Sequence, residues 1–121
     1  MTQKDLEDYI FEEYGVKPES QIPLGCINRA FVHSDNKKWF ALLMKVPYRS
    51  IGIQKNGYVD ILNLKCDPVL IRSLIKRRGF QPAYNMNNDE WITVLLDGSV
   101  TRNEIEALLA ASYDLTKTVL Q

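Results

Sequence analysis

Asn56-Gly57-Tyr58-Val59-Asp60-Ile61-Leu62-Asn63-Leu64-Lys65-Cys66-Asp67-Pro68 is the stretch on which the fold turns. Asn-Gly most readily supplies the positive φ angles of a tight hairpin, so it is the strongest hairpin signal in the chain, and Tyr58 to Cys66 is the strand that returns from it. Asp67-Pro68 then changes the period. Aspartate caps a helix through its side-chain oxygen, and proline is tolerated at the first helical position, where its missing N–H has no partner to lose. Val69, Leu70, Ile71, Leu74 and Ile75 supply that helix with an apolar face. Lys76, Arg77 and Arg78 suit the negative end of its dipole, and Gly79 is its stop.

Upstream, Trp39 to Val46 is a strand that Pro47 ends, and Ile51 to Gln54 is a short further extended segment. Asn28 to His33 is an apolar run joined to Trp39 by the turn residues Ser34-Asp35-Asn36, which makes a hairpin. Val16 to Gly25, with Pro18, Pro23 and Gly25, is an irregular connection. Before it, Thr2 caps a helix ending at Gly15, with Asp5 as a shortened capping-box partner and Leu6, Tyr9 and Ile10 on one face. Downstream, Ala83 to Met86 is a short strand, Asn87-Asn88-Asp89 turns, and Trp91 to Leu96 is a strand closed by Asp97-Gly98. Thr101 to Glu104 is a capping box opening a last helix, whose stripe runs Ile105, Leu108, Leu109, Ser112, Leu115 or Thr116, and Val119. Helices flanking a strand-rich middle predict an α+β fold: an antiparallel sheet packed against N-terminal, middle and C-terminal helices, in a single domain over residues 1–121.

Composition narrows the function classes. With 121 residues, 45% hydrophobic and 25% charged, the chain is ordinary globular material. No apolar run approaches a membrane span, and the acidic start does not resemble a leader, so a cytoplasmic protein with no membrane contact is expected. Cys26 and Cys66 lie far apart without a Cys-x-x-Cys pattern and are expected as free thiols. The net charge of zero averages three unlike segments. Residues 1–20 set six carboxylates against two lysines, 29–80 set eleven cations against three aspartates, and 81–121 set six carboxylates against two cations. A folded chain with that distribution can present a basic face.

Lys38-Trp39-Phe40-Ala41-Leu42-Leu43, Asn63 to Pro68, Trp91 to Val100 and Ser112-Tyr113-Asp114-Leu115 resemble, in order and spacing, the YjbR/MmcQ-like family of small bacterial proteins. The resemblance runs from about Ile22 onward. It implies a frataxin-like, double-wing arrangement and a DNA-binding role proposed for the family. Where the family often reads Tyr-His-x-Asn-Lys, this chain has Tyr84-Asn85-Met86-Asn87-Asn88, without the imidazole or the ammonium.

The candidate sites follow from these readings. DNA binding through the basic middle would use Lys37, Lys38, Arg49, Lys55, Lys65, Arg77 and Arg78, because cations neutralise phosphates and release counterions. Against this, Lys76 to Arg78 also complement a helix end, and others can pair with the acidic terminal helices. A pocket near Tyr84, Asn85, Asn88 and Trp91, taking a small anionic ligand or a protein partner, is the alternative. Asp5, Asp8 and Glu12 on one face of the first helix suggest weak metal binding, although acids in a first turn serve the helix dipole as well. No cofactor fingerprint, phosphate loop or nucleophile motif appears, and His33 beside Ser34 and Asp35 fits a turn better than a catalytic unit. The expectation is a binding protein, not an enzyme.

Overall fold

A computed structural model describes residues 1–21 and 28–119. The chain forms α1 (Gln3–Tyr14), β1 (Glu19–Gln21), β2 (Asn28–Val32), β3 (Trp39–Pro47), β4 (Tyr58–Lys65), α2 (Pro68–Leu74), β5 (Phe80–Pro82), β6 (Trp91–Leu95) and α3 (Arg102–Thr116). The strands make one antiparallel sheet in the order β1-β2-β3-β4-β6-β5. The α+β class is as expected.

β4 lies at the centre and is buried on both faces. Leu62 and Leu64 join Leu43, Ile92 and Val94 in the larger core, which receives Leu6 and Ile10 from α1, Ile71 and Leu74 from α2, and Ile105 and Leu109 from α3. Each such side chain contributes about 1.5–3 kcal/mol by leaving water. Val59 and Ile61 point the other way, into a smaller cluster with Ala30, Leu42, Met44, Val46 and Leu95. Two connections cover that outer cluster. Residues 48–57 bring Tyr48, Ile51 and Ile53, and residues 83–90 bring Tyr84 and Met86.

Polar groups in the sheet are closed by side chains. Asn63 and Thr93 are fully buried cross-strand partners. Thr93 Oγ1 donates to Asn63 Oδ1 at 2.5 Å, Asn63 Nδ2 donates to the Tyr84 carbonyl at 2.9 Å, and the Tyr84 N–H donates to Thr93 Oγ1 at 2.9 Å. This ring ties the 83–90 connection to the sheet. On the other face, buried Ser112 of α3 donates to the Phe40 carbonyl at 2.5 Å and accepts from the Lys65 N–H at 2.9 Å, bridging β3 and β4 just beyond the Ala41–Leu64 pair.

Several local expectations are corrected. Residues 19–21, expected as irregular, pair with Asn28 to Ala30 as a polar edge strand. Ile51 to Gln54 is not extended. Tyr48 to Ile51 makes a 3-10 turn ended by Gly52 at φ +78°, which folds Ile51 and Ile53 back onto the outer cluster. Asn56-Gly57 therefore closes a ten-residue connection instead of a two-residue hairpin, with the Tyr48 N–H bonded to the Gly57 carbonyl. The strand expected at Ala83 to Met86 lies at 80–82, because the Tyr84 main chain is bonded to side chains and Asn85 takes φ +56°. Pro82 sits on the edge strand, where its missing N–H costs no ladder bond.

The helices differ in detail. Asp67 caps α2 by accepting from the Val69 N–H, as expected, but α2 ends at Leu74 so that Phe80 can enter the sheet beside Val94. Val69, Leu70 and Ile75 are consequently exposed. Gly79 takes φ +95°, and a Cβ there would lie 2.6 Å from both Ser99 Oγ and Val100 Cγ2, so glycine is required twice over. The box at Thr2 and Asp5 has both arms. At Thr101 only the Glu104 N–H is capped, because the Glu104 carboxylate is held by Arg77. On α3, Leu115 and Val119 beyond it are exposed, while Ser112 and Thr116 are buried. Cys66 is a buried free thiol whose pKa is raised by that burial, and Cys26 lies outside the described residues.

Two substitutions test this account. Thr93→Val strands Asn63 Oδ1 and the Tyr84 N–H in the interior, so urea denaturation should show a loss of about 1–3 kcal/mol. Asp67→Ala should lose about 0.5–2 kcal/mol, the usual cost of an N-cap. An unchanged midpoint for either variant contradicts the corresponding contact.

Candidate nucleic-acid interface

The basic segment divides into cations that the acidic helices neutralise and cations that they leave alone. Arg29 is paired with Glu7 of α1, Lys45 lies 4.0 Å from Asp60, Lys65 is 3.5 Å from Glu90, and Arg77 holds Glu104 through two bonds of 2.5 and 2.9 Å. Among the described residues, Lys37, Lys38, Arg49, Lys55, Arg72, Lys76 and Arg78 have no carboxylate within 4 Å. Lys65 and Arg77, both expected to meet a ligand, are thus already occupied.

Apart from Arg72 on α2, the remaining cations gather at opposite ends of β4, roughly 25 Å apart along an eight-residue strand. At the Tyr58 end, the connection 48–57 and the turn 75–79 enclose a cleft of about 500 Å³. Lys55, Lys76, Arg77 and Arg78 line it, with Tyr48 and Phe80 beneath. Lys55 Nζ stands 4.7 Å from the Tyr48 ring centroid, and the Arg77 guanidinium 5.2 Å from that of Phe80. Arg49, on the same connection, is hydrogen-bonded to Asn56. The one acid in the lining is Asp97. Burial works against its charge, but the Ser99 hydroxyl and N–H and the nearby Arg78 hold its pKa below the usual carboxylate value. Lys55 and the cations 76–78, far apart in the sequence, therefore share one surface.

At the Lys65 end, Lys37, Lys38, Lys65, Trp39, Trp91 and Leu115 line a groove of about 390 Å³. Trp91 belongs to this groove. Asn85 and Asn88, expected beside it, are exposed on the 83–90 connection, and the main-chain groups of Tyr84 are bonded to Asn63 and Thr93. The Asp5 carboxylate accepts from the Thr2 N–H, Asp8 pairs with Lys4 at 3.2 Å, and among the described residues no group of three or more His, Cys, Asp or Glu side chains converges.

The sequence model of the YjbR family matches residues 14–115. The chain belongs to the YjbR family. It is 32% identical to the uncharacterized Bacillus subtilis protein YyaQ over 97% of this chain and 99% of that one. A crystal structure of a Pseudomonas syringae protein superposes with a TM-score of 0.92 at 42% identity, covering 97% of this chain and 100% of the other. A Deinococcus radiodurans crystal structure gives a TM-score of 0.70 at 26% identity, covering 99% and 82%. No helix among the described residues of this YjbR-family chain is long and apolar enough to cross a membrane.

His33 lines a cleft of about 610 Å³ with Tyr14 and Tyr113. Its lysines, Lys17, Lys37 and Lys117, face Glu19 and Asp35, so opposite charges nearly balance there. His33 is itself buried, with its ring centroid 4.4 Å from that of Tyr113. Its Nε2 lies 2.8 Å from Thr116 Oγ1, and that hydroxyl donates to the Ser112 carbonyl. Burial also pushes the Tyr14 pKa up to about 12. The sequence signalled none of this network except that Ser112 and Thr116 share a helix face.

Burial lowers the His33 pKa, against the opposing pull of Asp35 and the Tyr113 carbonyl. The unfolded chain then binds more protons just below the ordinary value of 6.5, so this contribution to stability is present above 6.5 and is lost as pH falls through the folded value. Thermal midpoints should decline from pH 7.5 to 5.5, and His33→Gln should flatten that decline. Parallel curves for the two proteins would remove His33 as its cause.

Proposed function

We propose that this YjbR-family chain is a non-enzymatic, cytoplasmic domain that binds the phosphate backbone of nucleic acid through the cleft between the 48–57 connection and the 75–79 turn. The supporting observation is the convergence of Lys55, Lys76 and Arg78 on one cleft with no carboxylate within 4 Å of them, in a chain of zero net charge. Unpaired ammonium and guanidinium groups so close together repel one another, and a polyanion relieves that repulsion while releasing its counterions. The 48–57 and 83–90 connections take the part of the two wings. Positioning by phosphate contacts carries little sequence preference. The balanced charges of the His33 cleft offer a small anion less.

Fluorescence anisotropy with labelled duplex and single strands across a salt series tests the reading. Three phosphate contacts predict that log K falls against log salt with a slope of about −2.7 on duplex. Lys55→Gln, Lys76→Gln and Arg78→Gln combined should bring that slope close to zero, whereas Arg77→Gln, which removes a cation held by Glu104, should weaken binding less. Failure of both strand forms to bind at low salt overturns the proposal.

A further inference from the structure

The second groove has a chemistry that the cleft lacks. Trp39 at the start of β3 and Trp91 at the start of β6 flank the Lys65 end of β4, so two half-exposed indoles stand on strands two apart, about 10 Å between backbones. Lys65 is the cross-strand partner of Trp91, and its Nζ lies 5.7 Å from the Trp91 ring centroid. Lys37 and Lys38 are exposed at the rim without a carboxylate within 4 Å, and none of the lining residues is acidic, the Lys65 ammonium alone being paired, with Glu90 at 3.5 Å. Lys37 is held there at φ +62° by its N–H bond to the His33 carbonyl, and the Lys38 N–H is held by Asn36 Oδ1. The turn therefore fixes the backbone from which both lysine side chains reach the groove.

Duplex DNA hides its base faces, so two indoles add nothing to duplex binding. A single strand offers a π-face at each nucleotide and a phosphate between successive bases. From the geometry we infer that the Trp39–Lys65–Trp91 groove is a stacking site for unpaired bases, with Lys37 and Lys38 on the flanking phosphates. Single-stranded nucleic acid is thereby the preferred ligand. Between the two ends of the sheet, half-buried Tyr84 and Tyr48 lie over the outer cluster, which gives a strand further aromatic surface on its way to the basic cleft. The inference rests on the backbone-binding reading for its second anchor, but the groove makes its own separable prediction.

Trp39 and Trp91 are the only tryptophans in the chain, so intrinsic tryptophan emission reports on the groove alone. Titration with an oligothymidylate of about twelve nucleotides should quench that emission, whereas a duplex of the same length and inorganic polyphosphate should bind without comparable quenching. Trp39→Leu and Trp91→Leu should each weaken single-strand binding roughly tenfold, within the range expected for one stacked base. Both should leave duplex affinity unchanged. The wild-type quenching measurement needs no variant, so the inference stays testable if either leucine variant is poorly folded. Binding of single strand and duplex with equal affinity and no quenching overturns the stacking site while the phosphate cleft survives. Equal quenching by polyphosphate overturns it too, since the groove would then take the phosphates and not the bases. If no polynucleotide binds at low salt, both readings fall.

Discussion

A strand buried on both faces must have cover on both sides and a partner for every polar group it carries inward. β4 meets the first demand with helices on one face and two connections on the other. The helices are held chiefly by apolar burial. Six side chains, Leu6, Ile10, Ile71, Leu74, Ile105 and Leu109, are each worth about 1.5–3 kcal/mol, whereas exposed ion pairs such as Lys4–Asp8 contribute about 0–1 kcal/mol. The connections have less apolar material to offer. They need another kind of attachment, and the polar residues of the sheet provide it.

Asn63 and Thr93 supply that attachment on the outer face, because a buried amide without partners costs more than the bonds return. Their ring with the Tyr84 main chain fixes where the 83–90 connection lies. Ser112 does the equivalent on the helical face. By bonding to Phe40 and Lys65 it locks the end of β3 to the end of β4 at the place where Trp39, Lys65 and Trp91 come together. The polar core thus reaches the surface: the groove keeps its shape because a buried hydroxyl holds two of its three strands.

Residues whose signals are local were legible in the sequence. Asp67-Pro68, Thr2 with Asp5, and Gly15 each act within a few positions of themselves, and each does what its chemistry indicates. Where long-range partners compete, local signals lose. Glu104 would complete a capping box, but Arg77, distant in sequence, takes its carboxylate. Lys76 to Arg78 read as the end of a helix, yet the chain has already left α2 to place Phe80 in the sheet, and the three cations move into the cleft with Lys55. Asn85 and Asn88, in the run where the family often carries His and Lys, were expected beside a pocket, but their neighbour Tyr84 is bonded inward and they face solvent. Trp39 carried no site signal at all, because its partner groups Lys65 and Trp91 meet it only through strand order.

The pattern of neutralisation explains how a chain with no net charge keeps a strong local field. α1 lends Glu7 to Arg29 and α3 lends Glu104 to Arg77, while their other paired acids, Asp8, Glu106 and Asp114, engage cations within or next to the same helices. Such local pairs are spent where they form and do not reach across the sheet. At physiological ionic strength charge is screened over about 8 Å, so distant carboxylates cannot cancel Lys55, Lys76 and Arg78 at one end of β4 or Lys37 and Lys38 at the other. What a ligand meets is set by unpaired neighbours and not by the sum over the chain. Two cationic patches separated by roughly 25 Å, joined by half-buried aromatic rings, then select for length and flexibility as well as charge. A small anion can satisfy only one of them, whereas a flexible polyanion with aromatic bases can satisfy both.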